Sequence, residues 1–593
     1  MSVVKPFDFF KEETSDTADT IVRTDAMAKV ALIAALMGPE SARRDLIPYL
    51  VTKAKDMDQV QLQMAVKMEH LLPYIGGLDH LTSLIPLIEL LFGAEETAVR
   101  SAICLSVNHI LDKILDSSDK ISSEFLDMTS RLLKDEDEEM FYSRVSLCAI
   151  SGNLYRILAN KDRPVFFELF NSLLKHDSMM VRSEAATAIA KIILYCDKAI
   201  LTTEGWDSYS LALNDVNLSI RTIAIENMTS FCTLVKDTIG SDSFLTEKIL
   251  PLITTSATES AWNIRRAVTK NMSEYLKVFL FDKEKTLSVL DSYLKLLLDK
   301  ESEVRLQALE EISSSSSVLI NAFGIEVFTE RILPVIERLL DDPINAVRKV
   351  LAEQSIRIAT DIKPEVLINL MFKFISALSK DIDPLVKLRI VRNISSIADK
   401  AKDHFLNLTD TLTSFYKDDN WRVRMEACFA TPLIYKHMGV AYFRDNILQL
   451  YIGLLKDDFD EVRTSCAKSI GTLMAATEHG NSWIGSDLLP LLKTMAASSY
   501  FGRISMLNVL EAIMTNGLPD HVFREALSIA VGAANDNTPN VRLRAAQLLG
   551  KVGAKGVEED VLVSIQTALS QLQTDKDRDV KFYSAEAVAL LRQ

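Results

Sequence analysis

The sequence predicts an all-α chain of stacked helical hairpins, on three observations. A valine or isoleucine followed by arginine recurs about every forty residues, each copy follows a short polar turn, and apolar residues on both sides of the turn fall at helical three- and four-residue steps. The clearest copies are Val99-Arg100, Val181-Arg182, Ile220-Arg221, Ile264-Arg265, Val304-Arg305, Val347-Arg348, Val423-Arg424, Val462-Arg463 and Val541-Arg542, joined in phase by Arg144, Lys387, Arg503 and Lys581. Extended backwards, the phase reaches Gln61 and then Arg23, giving fifteen units in 593 residues, the first two weak in the arginine register.

One unit shows why the hairpin forms. Phe523, Ala526, Leu527, Ala530, Val531 and Ala534 mark one amphipathic helix, and Val541, Ala545, Leu548, Leu549 and Val552 mark a second. Between them, Asp536-Asn537-Thr538-Pro539-Asn540 supplies short polar caps and a proline suited to a first helical position, so helix B is expected to begin near Asn540. Two short helices cannot bury both apolar faces alone, so each hairpin must stack on its neighbours. The period places the chain with the HEAT or armadillo helical repeats, an α-α superhelix in one continuous solenoid over residues 1–593. The run Ser313–Ser317 is expected to end helix B of its repeat rather than form a linker, because Val318-Leu319-Ile320 resumes the apolar pattern.

A cation in the first turn of helix B sits at the positive end of the helix dipole and needs an acceptor. Carboxylates five or six residues upstream are available: Glu95 for Arg100, Asp177 for Arg182, Asp215 for Arg221, Asp299 for Arg305, Asp342 for Arg348, Asp418 for Arg424, Asp457 for Arg463 and Asp536 for Arg542. These arginines read as a structural ladder between adjacent turns, which leaves binding to the non-periodic turn residues beside them.

The formal net charge of −15 argues against a phosphate-binding surface, and so against a helical-repeat DNA glycosylase. No stretch approaches 18 consecutive apolar residues, and the start Met1-Ser2-Val3-Val4-Lys5-Pro6-Phe7-Asp8 lacks the charged-then-apolar order of a secretory signal, so a soluble intracellular protein is expected, cytoplasmic with the nucleus also open. Six cysteines are scattered singly and read as free thiols; eight histidines never fall at metal-ligand spacing. Phosphate cradles and nucleophile elbows are absent, and the acidic run Asp135–Glu139 reads as a solvated turn. The expectation is a non-enzyme with no cofactor and no metal of its own.

Aromatic and cationic residues in the turns are the candidate binding features: Trp421-Arg422 after Asp418-Asp419-Asn420, Trp262-Asn263 opening a helix B, and Tyr500-Phe501 before Arg503. Trp206 and Trp483 lie elsewhere in their units and read as packing residues.

At these residues the chain resembles the scaffold (A) subunit of protein phosphatase 2A, a fifteen-repeat HEAT family. The resemblance runs from Gly76-Gly77-Leu78 and Glu95–Arg100, through Ser143-Arg144, Asn420–Arg424 and Pro539–Arg542, to Asp579–Tyr583 with Glu586-Ala587. It implies a non-catalytic scaffold holding a serine/threonine phosphatase catalytic subunit on repeats 11–15, about residues 401–593, and an exchangeable regulatory subunit on repeats 1–8, about residues 8–320, as a heterodimer or heterotrimer without nucleic acid or membrane insertion. By position, Trp421, Arg422, Tyr500, Phe501, Pro539 and Asn540 would form the catalytic-subunit ridge, and Glu96, Asp177, Met180, Asn217 and Trp262 the regulatory ridge. Two turns depart from the family: Trp262-Asn263 stands where Trp-Arg is usual, and Asp177-Ser178-Met179-Met180 lacks the expected proline. The alternative reading is a karyopherin-like nuclear transport receptor that wraps cargo.

Overall fold

The computed structural model describes residues 6–114, 119–134, 141–239, 242–362, 365–475 and 482–591. The start Met1–Lys5, the acidic run 135–139 and His479 lie outside the described residues. Among those described there is no strand, and no helix is long and apolar enough to cross a membrane. The chain divides into two compact units, Met1–Glu311 and Ile312–Gln593.

Each unit is a stack of helical hairpins. In the first, repeat 5 pairs Arg163–Leu174 with Met179–Ile192, and repeat 8 pairs Lys283–Leu297 with Ser302–Glu310. In the second, repeat 14 pairs Asp520–Ala533 with Pro539–Gly553, Pro539 taking the first helical position. Its core holds Val522, Ala526, Leu527, Ala530 and Ala534 against Val541, Ala545, Leu548, Leu549 and Val552. Val522 turns innermost in place of Phe523, a one-residue rotation of helix A that leaves the phenylalanine half-buried.

Within a unit, each helix B packs chiefly on the helix B of the next repeat. The approach is close enough to exclude a methyl group: a Cβ on Gly550 would lie 2.6 Å from that of Ala587, and one on Gly152 would lie 2.9 Å from that of Lys191. The serine run does not end a helix. Ile312–Phe323 is helical throughout, with Ser313, Ser315 and Ser316 buried at the packing face, where small side chains permit close approach.

Many A helices are not straight. Wide π turns occupy Ala42–Leu46, Leu245–Ile249, Phe328–Ile332, Phe443–Ile447 and Ile484–Leu488. In four of these the second residue of the following α segment is proline: Pro48, Pro251, Pro334 and Pro490. Proline lacks an N–H and crowds the preceding turn, and a widened turn relieves both faults at the cost of a bend.

Candidate docking ridge on the turns

Five of the ladder arginines, Arg182, Arg265, Arg348, Arg424 and Arg542, share one geometry with two components. The first is local: Arg424 Nη1 donates to the carbonyls of Asp418 at 2.6 Å and Asp419 at 3.2 Å, closing its own turn. The second crosses to the next repeat, where Arg424 Nε and Nη2 grip the Asp457 carboxylate at 2.6 and 2.8 Å. Arg182–Asp215, Arg265–Asp299, Arg348–Asp381 and Arg542–Asp575 repeat the bridge at 2.6–2.7 Å. The upstream residue therefore contributes its carbonyl, and the carboxylate comes from the following repeat. This corrects the pairing expected from the sequence, and the reason is directional: the upstream aspartate points back toward the preceding arginine while capping its own turn, as Asp215 does for the Asn217 N–H at 2.7 Å.

The bridged aspartates are strongly held. Burial alone would raise the Asp457 carboxyl, but the bonds from Arg424 and from the Phe459 N–H outweigh it and hold it below the ordinary carboxylate value. Asp575 is likewise lowered, chiefly by its bond from Arg542.

Other ladder positions differ. Arg100 donates to the carbonyls of Ala94 and Glu95 at 2.7 and 2.6 Å and stacks on the Tyr142 ring of the next repeat, 4.3 Å from its centroid, while the Glu95 carboxylate makes no bond to it among the described residues. Arg221 bonds the Asp215 carbonyl at 3.1 Å, the carboxylate being taken by Arg182. Arg463 reaches Asp460 and Ser505.

Beside this ladder, in the second unit, lies a strip of aromatic and polar side chains. Asn420 caps the helix that Trp421 opens by accepting the Arg422 N–H at 3.0 Å. The Arg422 guanidinium lies 4.3 Å from the Trp421 ring, whose other neighbour is Phe459 of the next repeat, stacked at 5.7 Å and 16°. Tyr500 and Phe501 meet edge to face at 5.2 Å, and Asn540 Nδ2 donates to the Tyr500 hydroxyl at 3.3 Å, next to the exposed Pro539. Phe459 is 43% exposed and Phe501 60%. All six residues assigned from sequence to the catalytic-subunit ridge thus stand on the turns of repeats 11, 13 and 14. Phe459, unassigned from sequence, fills the turn of repeat 12. Its aromatic character four residues before Arg463 was the available signal.

In the first unit the assigned residues are less connected. Asn217 Nδ2 approaches the Met179 sulfur at 2.9 Å, beside the exposed Met180 and Asp177. Glu96 caps its helix by accepting the Ala98 N–H at 3.3 Å, and Trp262, 40% exposed, opens the helix Trp262–Thr269. Asn263 turns its side-chain oxygen inward, without a hydrogen bond among the described residues, and stands where Arg422 follows Trp421 in repeat 11, so the cation seen there has no counterpart at this position. Trp483 is fully buried, and Trp206 packs against Phe231 and Phe244.

No profile of a known protein family matches the chain. It is 28% identical over 269 residues to the A-type regulatory subunit of protein phosphatase PP2A from Saccharomyces cerevisiae, covering 44% of this chain and 41% of that one. It is 29% identical over 257 residues to the subunit of the same name from Schizosaccharomyces pombe, covering 43% and 42%. With a probable PP2A regulatory subunit of Caenorhabditis elegans it shares 30% identity over 218 residues, covering 37% and 36%. The chain thus spans about two fifths of the length of the relatives it matches. Among solved structures, Kap121p bound to Ste12p superposes with a TM-score of 0.58 at 13% identity, covering 98% of this chain and 67% of that one. Kap95p in its complex with RanGDP gives 0.52 at 12% identity, covering 99% and 80%; both likenesses are of fold alone. The chain is a HEAT-repeat solenoid that resembles, in sequence, the scaffold (A) regulatory subunit of protein phosphatase 2A.

Proposed function

We propose that this protein is a non-catalytic scaffold for a serine/threonine phosphatase of the 2A type, with the catalytic subunit on the turns of repeats 11–15 and an exchangeable regulatory subunit on those of repeats 1–8. The observation that carries this reading is the exposed strip from Arg422 and Trp421 through Phe459 to Phe501, Tyr500 and Asn540. Aromatic and arginine side chains held on preformed helix starts are what interface hot spots are made of, and rigid presentation limits the ordering cost of binding. The mechanism is geometric: two subunits tethered to one chain meet at a high effective concentration, and the tether limits which substrates reach the active site. The karyopherin-like alternative has only the likeness of fold behind it, which carries no partner with it.

The test is a titration of purified catalytic and regulatory subunits. Trp421→Ala with Arg422→Ala is expected to weaken catalytic-subunit binding by roughly 2–4 kcal/mol while sparing the regulatory subunit, and Trp262→Ala to do the reverse. Equal losses for both partners from either variant would refute the division of the ridge.

A further inference from the structure

Six junctions join repeats 9 to 15, and five of them hold the same ion pair: Arg348–Asp381, Lys387–Asp418, Arg424–Asp457, Arg503–Asp536 and Arg542–Asp575, at 2.6–2.7 Å. In each, the aspartate also accepts the N–H two residues on, from Asp383, Asn420, Phe459, Thr538 or Asp577, at 2.8–3.0 Å. A guanidinium or ammonium of one repeat and a backbone amide of the next therefore converge on one carboxylate. The sixth junction, between repeats 12 and 13, has the receptor without the acid. Ala497 occupies the aspartate position, six residues before Arg503.

Arg463, only 5% exposed, keeps the local clamp, Nη1 donating to the carbonyls of Asp457 and Asp458 at 2.7 and 2.9 Å. The edge that elsewhere grips a carboxylate takes substitutes: Nε donates to Ser505 Oγ at 3.1 Å, and Nη2 to Asp460 Oδ1 at 2.8 Å. Asp460 is a neighbour on the same helix with its side chain 70% exposed, and exposed pairs of this kind hold weakly. The Ser499 N–H, counterpart of the five capped amides, donates to no acceptor among the described residues. Between these groups opens a cavity of about 280 Å³, lined by Lys456, Asp457, Asp458, Arg463, Ser499 and Phe501. The Arg348–Asp381 junction, whose rung is filled, has a cleft in the equivalent place, so it is the missing acid and not the space that sets this junction apart. The Phe501 ring, 5.4 Å from the Arg463 guanidinium, forms one wall, and the aromatic strip of the docking ridge runs past the mouth.

We propose that this junction is a carboxylate-binding site, in which an aspartate or glutamate side chain of the phosphatase catalytic subunit completes in trans the rung that the other five junctions complete in cis. The proposal rests on the scaffold reading above and names a contact within it. Arg463 and the Ser499 amide supply charge-assisted bonds of the kind repeated along the unit, and Asp460 swings outward to solvent when the incoming acid arrives. A carboxylate bonded in this way also fixes register, because only one residue of the partner can reach between the two turns.

The experiment restores the missing acid in cis. Ala497→Asp is expected to raise the thermal unfolding midpoint by about 2 °C, through a pair the receptor already awaits, and to weaken, about tenfold, binding of the purified catalytic subunit, by occupying the site. Ala497→Asn, which fills the same volume without charge, is expected to leave affinity within about threefold of the original. Ala497→Asp binding as tightly as the unaltered chain, a lowered midpoint, or equal losses from Asp and Asn would each overturn the proposal and leave the scaffold reading intact. If the unaltered chain bound no catalytic subunit, the scaffold reading and this contact would fall together.

Discussion

From repeat 9 to repeat 15 the junctions share one device, an aspartate held by the preceding cation, with the exception at Arg463. From repeat 1 to repeat 8 the same register holds a mixture. Arg23 meets Asp56, Arg182 meets Asp215 and Arg265 meets Asp299, but the Gln61 side chain bonds the Asp56 carbonyl, Arg100 faces the Tyr142 ring, Arg144 faces His176, and Arg221 closes on its own turn. The hairpin and its stacking survive all these substitutions. Apolar burial between helices therefore defines the solenoid, and the ladder tunes the strength of each joint. A chain with unequal joints opens first where they are weakest.

The largest expected effect sets the two kinds of joint against each other. Arg424→Ala leaves the Asp457 carboxylate buried with only the Phe459 N–H, and is expected to cost about 3 kcal/mol. Arg221→Ala removes a single bond to a carbonyl and should cost no more than about 1 kcal/mol. Denaturant titration, with amide exchange to locate the loss, checks both, and equal costs would mean that the bridging carboxylate does not set joint strength.

A smaller effect is expected at the aromatic joint. Tyr142→Leu keeps an apolar side chain but removes the ring face under Arg100, and should cost about 0.5–1 kcal/mol. A cost matching that of Arg424→Ala would show the two joints to be equivalent after all.

The smallest effect is one of pH. His176 occupies the ladder aspartate's place: its Nδ1 receives the Ser178 N–H at 3.0 Å, and its Nε2 lies 2.9 Å from Arg144 Nη1. A neutral imidazole has one acceptor nitrogen for these two donors, and a protonated ring has none. Burial first, and then the charges of Arg144 and Arg182 against that of Asp177, hold its pKa below 6.5. A depressed folded value means that the unfolded chain takes up the proton first, so this joint's contribution is complete above about 6.5 and is lost as pH falls through the folded value. The lowered Asp299, Asp381, Asp457 and Asp575 also contribute above their unfolded values, but lose that contribution only below about pH 4. Amide protection across Met179–Ile192, taken relative to the base-catalysed intrinsic rate, should therefore fall as pH is lowered from about 7.5 to 5.5 while that across Asp460–Ala475 stays level, and His176→Asp should abolish the difference. Parallel responses in both helices would remove the distinction.

Periodicity determined the hairpin, its length and its phase, because burial of an apolar stripe every third or fourth residue leaves a short amphipathic segment no other compact arrangement. The start of helix B at Pro539 was legible for the same local reason, a proline fitted to a first helical position. So were the turn positions of Trp421, Tyr500 and Trp262, which follow from counting back from the ladder arginine. Which carboxylate each arginine holds was not legible. The upstream aspartate and the aspartate of the next repeat are equally regular in sequence, and only the stacking of two turns directs the guanidinium edge across the junction and leaves its tip for the local carbonyls. The π turns before Pro48, Pro251, Pro334 and Pro490, the stacking of Phe459 on Trp421, and the meeting of Arg463 and Ser499 around a place held by Ala497 have the same origin. Each depends on the distance between neighbouring repeats, a quantity fixed by packing and written in no single segment of the chain.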